Sequence, residues 1–454
     1  MPSRGEQLQS YQFMVQRVVS ALVLRETDPP QSPFRRAASS AFASVLVAVV
    51  IAAGFGVYSI FTGGGNQKWR AEGTVVVEKN SAAAFLFHEG KLYPALNLTS
   101  AILASGNPKP NVMTVSAKSL QSVSWGPTIG IPFLPNSLAT KKELVGFPWS
   151  VCAMQIKEGP VSAVVVGKDE VSRGRLLGPE DATLVRSTAR NSTPYVLWRG
   201  KLYETKQSTA DRLAPGVQVA TVAPAFLNGL PKGEPIETIA VTNSGTTSRF
   251  NETWKVGEVI SVFGVTAEDR YVLVREDGLF YVSQVQAQIA AISGLHRLSF
   301  GDVTDNNKRS ISTSLLPKEG EPRTPPSNLP RFSAYNGSGL CSVVLDEANN
   351  TELRADVPLS LDRRPQTARR SSSNAIYADY ILMPNGMAAI VASGQTYSYV
   401  SRDGVRFAAA NLDVLKKLGY EGAVPVKLQP SLVALLPEGP GLDPAEAMVP
   451  VTVS

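Results

Sequence analysis

Two histidines and two cysteines are all that 454 residues contain, and no Gly-x-x-x-x-Gly-Lys-Ser/Thr stretch occurs. Each scarcity excludes a chemistry. A zinc centre needs several nitrogen and sulfur ligands close together, and a Ser/His/Asp hydrolase needs a histidine beside its nucleophile. His88 falls at an expected turn and His296 in a polar connection, so both read as surface histidines. Without the glycine loop, backbone N–H groups and a lysine have no frame on which to hold phosphates. The nearest approach, Gly63-Gly64-Gly65-Asn66-Gln67-Lys68, follows an apolar run rather than a strand and reads as a linker. Carboxylates are plentiful, but Glu268-Asp269 and Glu276-Asp277 read as turn residues, and no pair stands out for acid/base work. No catalytic residue, metal ligand or cofactor site is therefore expected. The net charge is only +6 with the basic residues scattered, which does not imply nucleic acid.

Charge is wholly missing from residues 42–61, FASVLVAVVIAAGFGVYSIF. Twenty helical residues reach about 30 Å, the thickness of a bilayer's hydrocarbon core. A cleaved signal would have a shorter apolar region nearer the start, and a buried core helix is the other alternative; the expectation is one membrane anchor. Gly54 and Gly56, with Ala52 and Ala53, give it a small-residue face on which another helix can pack. Arg4, Arg17, Arg25, Arg35 and Arg36 precede the run, whereas Lys68, Arg70 and Lys79 follow it within a similar distance. Cys152 and Cys341 both come after it, either as one disulfide in an oxidising compartment or as two unrelated buried thiols. Together these place the N-terminus in the cytoplasm and the larger part outside.

Before the anchor, Leu8, Tyr11, Val15, Val18 and Leu22 recur at offsets of three and four, an amphipathic helix expected to dock on a partner's cytoplasmic domain or lie on the inner leaflet. Pro33 is expected to keep the chain extended up to Arg35 and Arg36. After the anchor, 32 Pro and 36 Gly over the whole chain point to many turns and short strands. Four stretches share a hairpin pattern with a Gly-centred turn and a short helix to follow: 85–93, 195–203, 271–281 and 397–407, the last leading into a helix that Gly419 stops. Gly90 and Gly278 lie 188 residues apart and Cys152 and Cys341 189, while 224–233 matches 430–439, so a larger unit is duplicated around the two Cys stretches. The aromatic residues of the first two hairpins read either as half-buried strand faces or as a glycan-binding surface. Arg354, Arg363, Arg364, Arg369 and Arg370 form a basic tract, either a solvated loop or a contact for an acidic partner or anionic envelope polymer.

These residues resemble the EccB family, the single-span membrane component of the type VII (ESX) secretion system of mycobacteria and related actinobacteria. The likeness lies in 6–13 with Arg17 and Ala21-Leu22, in Gly130-Ile131-Pro132 with Pro135, in Trp149-Ser150-Val151-Cys152, and in 436–444, LPEGPGLDP. It implies a single-span membrane protein with a short N-terminal amphipathic helix and one transmembrane helix. A large α+β periplasmic body would follow, its central β-rich domain closed by a Cys152–Cys341 disulfide and flanked by four repeat modules in quasi-two-fold arrangement. The expected division is 1–36 cytoplasmic arm, 42–61 transmembrane helix, 66–120 linker and first module, 121–190 first part of the central domain, 191–255 second module, 256–300 third module, 301–385 second central part, and 386–454 fourth module and tail. The third module lacks the Pro-rich closing segment seen after the second and fourth. The implied partners are the motor ATPase EccC, EccD, EccE and a mycosin protease, with copies of the chain itself in a hexameric inner-membrane complex. The expected role is structural. Members of the family carry the name ATPase, so ATP is the one cofactor the resemblance raises; a cell-wall anchor is the third reading.

Overall fold

The computed structural model describes residues 4–25, 33–63 and 67–451, apart from 168, 240, 250, 264–269, 277, 291–294, 306–327, 362–364, 369 and 371–373. Helix α1 spans Arg4–Leu24 and α2 spans Pro33–Gly63. Pro33 opens α2 instead of holding the chain extended, because the first helical position needs no N–H and suits proline's fixed φ. Arg35, Arg36 and Gly63 are consequently part of the helix.

A 3-10 turn, Gln67–Arg70, leads into Thr74–Glu78 (β1), Ala84–His88 (β2) and Lys91–Ala95 (β3), an antiparallel meander. Leu98–Ala104 (α3) follows, capped by the Asn97 side chain, and Val112–Val115 (β4) returns parallel to β1. Ala117–Leu120 (α4) then leads to Ser124–Trp125 (β5), parallel to β3. Trp149–Ile156 (β6), Gly159–Val166 (β7) and Arg175–Leu176 (β8) belong to a separate central sheet. The pattern of meander, helix and parallel return recurs in Asp181–Ser187 (β9), Pro194–Trp198 (β10), Lys201–Glu204 (β11), Gln207–Leu213 (α5) and Ala220–Val222 (β12), with Pro224–Gly229 (α6) after it. It recurs again in Val259–Phe263 (β13), Arg270–Val274 (β14), Leu279–Val282 (β15), Gln284–Ala290 (α7) and Leu295–Ser299 (β16), followed by Phe300–Asp305 (α8). Arg331–Phe332 (β17) joins β9, and Gly339–Val344 (β18), Thr351–Val357 (β19) and Tyr380–Leu382 (β20) complete the central sheet in the order β20-β7-β6-β18-β19-β8. The fourth instance is Ala389–Ser393 (β21), Thr396–Val400 (β22), Arg406–Ala409 (β23), Leu412–Leu415 (α9) and Val426–Lys427 (β24), before Pro430–Val433 (α10) and Pro444–Ala447 (α11).

Local chemistry explains the hairpins. Glu89-Gly90 and Arg199-Gly200 both take φ between 48° and 72°, the left-handed pair of a two-residue turn whose twist matches the strands. Asn411 caps α9 by accepting from the Asp413 and Val414 N–H groups, and Gly419 at φ 95° stops the turn that follows. Two strands fall across expected boundaries: β5 extends the first small sheet past residue 120, and β9 starts the second at Asp181 rather than near 191. His296 lies on β16, not in a connection.

The small sheets share cores in pairs. Ala101 and Leu103 of α3 pack with Leu415, Leu418 and Leu442, joining the first and fourth. Leu184, Trp198 and Leu213 pack with Val285 and Ile289 of α7, joining the second and third. Phe226 of α6 and Leu432 of α10 cover Trp149 and Val151 of the central sheet. The first pairing has a polar clasp: the Ala139 N–H donates to the Tyr399 hydroxyl (3.2 Å), the Tyr420 hydroxyl donates to the Ala139 carbonyl (2.7 Å), and the two rings stack at 5.6 Å. Burial pushes the Tyr420 pKa up, keeping it a donor. Tyr420→Phe leaves that buried carbonyl unpaired and is expected to cost about 1–3 kcal/mol. A lowered urea midpoint checks it, and an unchanged midpoint would show the hydroxyl contributes nothing.

Candidate functional site

Among the described residues, the features that stand out are exposed surfaces. Within α2, Ser39–Tyr58 has a mean hydropathy of 2.3 and 0% of it is buried by the rest of the chain. Phe42, Leu46, Val50 and Phe55 all project into the surroundings. A Cβ built at Gly54 or Gly56 meets nothing within 4 Å, so the small-residue face is open. A helix this long, apolar and uncovered suits lipid or neighbouring spans better than water. On α1, Leu8, Tyr11, Val15, Val18 and Leu22 are exposed, and so are Phe13, Met14 and Val23 off that stripe. The apolar surface of α1 is therefore wider than the single face read from sequence. Among the residues of this helix whose burial is described, only Ser20 is buried, and α1 contacts α2.

In the body, Cys152 and Cys341 are bonded to each other, fully buried, and stand directly opposite on β6 and β18 with Cα atoms 4.0 Å apart. No free cysteine remains. Of the basic tract, Arg363, Arg364 and Arg369 lie outside the described residues. Arg354 does not belong to an open patch: on β19 it pairs with Glu352 (2.5 Å) and donates to the Ser172 and Gly174 carbonyls at 3.2 and 3.1 Å. Arg370 donates to Asn374 Oδ1 (2.8 Å) at the rim of a cleft of about 310 Å³ that Glu158, Pro224, Tyr377 and Asp379 also line. Asp379 accepts there from the Ser162 N–H (2.8 Å) and hydroxyl (2.7 Å), a bond set that ties the approach to β20 onto β7.

The aromatic hairpins turn most of their rings inward. Phe85, Phe87, Trp198 and Tyr203 are buried, with Phe87 edge-on to Trp69 at 5.7 Å. His88 contacts Glu72, and His296 lies 3.9 Å from Glu258, each a pair rather than a ligand cluster. Among the described residues no group of three or more His, Cys, Asp and Glu could hold a metal ion. Glu276 pairs with Arg249 (2.9 Å) at the third hairpin; 268, 269 and 277 lie outside the described residues.

A long uncovered apolar helix ahead of a disulfide-bonded body, whose described residues form five sheets, meets a family description over nearly its whole length. The model described as "Type VII secretion system ESX-1, transport TM domain B" matches residues 1–453. The chain belongs to the EccB family. Among curated EccB relatives, the ESX-3 secretion system ATPase EccB3 of Mycolicibacterium smegmatis is 26% identical over 301 residues, 64% of this chain and 57% of that one. The ESX-2 secretion system ATPase EccB2 of Mycobacterium tuberculosis is 25% identical over 423 residues, 83% of this chain and 81% of its own. The chain thus spans little more than half the length of the first of these. Among solved structures, a chain of an intact ESX-5 inner membrane complex superposes with a TM-score of 0.65 at 22% identity, covering 100% of this chain and 96% of that one. The EccB3 dimer from the ESX-3 core complex gives 0.60 at 21%, covering 83% and 100%. At these identities the two structures establish the EccB fold, a mixed α/β body behind one apolar helix.

Proposed function

We propose that the chain is a structural component of a type VII (ESX) secretion complex in the inner membrane, with α1 as a cytoplasmic docking arm, α2 as its span and the body on the periplasmic side. The observation that carries this is the family match from residue 1 to 453, which takes in arm, span and body together. The exposed apolar residues of α1 fit a docking role, since an uncovered helix of this kind is stable only against lipid or a partner. The implied partners are EccC, EccD, EccE, a mycosin protease and further copies of the chain. The strand order supports a body of two related halves, each with a small sheet, two central strands and a second small sheet, and Cys152 and Cys341 stand opposite each other on β6 and β18.

Deleting residues 1–25 is expected to remove the chain from the assembled complex while α2 and the body stay membrane-bound. Blue-native gels after mild-detergent extraction read this directly, and an assembly of unchanged size would refute the docking role. The name ATPase on the curated relatives keeps a second reading alive. ATP turnover that co-purifies with the chain through every separation step would establish it and displace the structural role.

A further inference from the structure

We infer that the first small sheet has a membrane-seated foot, built from Trp125 with Lys68, Arg70 and Lys118, that contacts an anionic phospholipid surface where α2 emerges. The inference rests on α2 crossing a membrane. Trp125 is 55% exposed, whereas Trp69, Trp149, Trp198 and Trp254 are all buried, so one of five tryptophans faces outward. Its ring is held, not loose: it sits edge-on to Phe85 at 5.5 Å, and its strand is paired to β3. An indole with a fixed apolar face and a free polar edge suits the interface between hydrocarbon and headgroups.

Chain connectivity brings that ring to the membrane. Helix α2 continues five residues beyond Tyr58, about 8 Å, which is the depth of a headgroup layer. From Gly63 the four steps to Gln67 span at most about 14 Å. The turn Gln67–Arg70 is then pinned to the body: Trp69 is buried among Phe85, Phe87 and Leu120, and Arg70 donates to Ser122 Oγ at 2.7 Å, three residues before Trp125. Lys68, next to Trp69 in that turn, and Lys118, on α4, are both exposed. The nearby Glu72 carboxylate contacts His88 and accepts from the Glu89 N–H. Basic groups are attracted to an anionic surface, and the attraction fades within a Debye length of about 8–10 Å.

The test uses the full chain in nanodiscs of mixed phosphatidylglycerol and phosphatidylcholine, some of them carrying a headgroup nitroxide that quenches tryptophan. Neither α1 nor α2 contains tryptophan, so only the body reports. Wild-type emission should fall in the labelled discs, and Trp125→Phe should abolish that fall. Lys68→Glu combined with Lys118→Glu should reduce it, and so should discs of phosphatidylcholine alone. Embedded protein whose emission is unquenched, or quenching that survives Trp125→Phe, overturns the foot while leaving the span intact. Equal quenching in both lipids overturns its preference for anionic lipid. A chain that does not co-elute with the discs overturns the span, and the foot with it.

Discussion

Replacing Cys152 and Cys341 together with alanine is expected to lower the unfolding free energy by about 5 kcal/mol, the cost of releasing a closed loop of this length in the unfolded chain. The bond spans 189 residues, so it constrains nearly half the chain when unfolded. Its position adds to the effect. Residues on either side of the two cysteines pair in sequence, Leu340 with Ala153 and Ser342 with Val151, so β6 and β18 already form a hydrogen-bonded ladder without it. Loss of the bond should therefore leave the native sheet in register and act mainly through the unfolded state. Equilibrium urea unfolding distinguishes these cases: reduced wild type and the double alanine variant should share one lowered midpoint. A double variant as stable as the oxidised protein would show that the ladder and its buried neighbours Val161, Val343 and Leu382 hold the centre alone.

Much of this architecture was legible because it rests on local signals. An uncharged run of helical length, two Gly-Lys-Leu-Tyr hairpins and two cysteines at the repeat spacing each report themselves over a few residues. What was not legible depends on pairing partners distant in sequence. Every small sheet begins with a strand that precedes its hairpin, β1, β9, β13 and β21, and ends with a parallel return. In β1 and β13 the central residues are buried on both faces, so the run reads as apolar without alternation. The expected boundary at residue 190 assigns Asp181–Ser187 to the central domain, whereas β9 belongs to the second small sheet. Arg354 shows the opposite error. Counted by charge it belongs with Arg363 and Arg370, but strand geometry points it at Glu352 and two backbone carbonyls. The matching segments 224–233 and 430–439 could be aligned by eye, yet the reason for their glycines lies in rings far back in the chain.

That reason leads to the second large effect. A Cβ at Gly233 would stand 2.3 Å from the Tyr203 ring, and one at Gly439 would stand 2.4 Å from the Phe407 ring. In each case the glycine N–H bonds the edge strand, to the Leu202 carbonyl at 2.8 Å and the Arg406 carbonyl at 2.9 Å, so the segment cannot lift away without losing that bond. Gly126 repeats the contact in the first sheet, under the Tyr93 ring and bonded to the Leu92 carbonyl at 3.0 Å. Among the described residues no such segment runs along β15 in the third sheet. Neither Gly233 nor Gly439 sits in the left-handed region, so alanine is conformationally acceptable there and would otherwise stabilise by about 0.4–1 kcal/mol through the unfolded chain. Overpacking against a buried ring costs about 1–3 kcal/mol, occasionally more, and should win where the ring is fixed. Tyr203 and Phe407 are buried, while Tyr93 is only partly so and can swing outward. Gly233→Ala and Gly439→Ala are therefore expected to destabilise by about 2 kcal/mol and Gly126→Ala by less. Phe407→Leu supplies the control: in that background Gly439→Ala should lose most of its cost, a coupling that a double-mutant cycle measures. If Gly439→Ala instead raises the urea midpoint, the ring has moved and the close approach is not what that glycine is for.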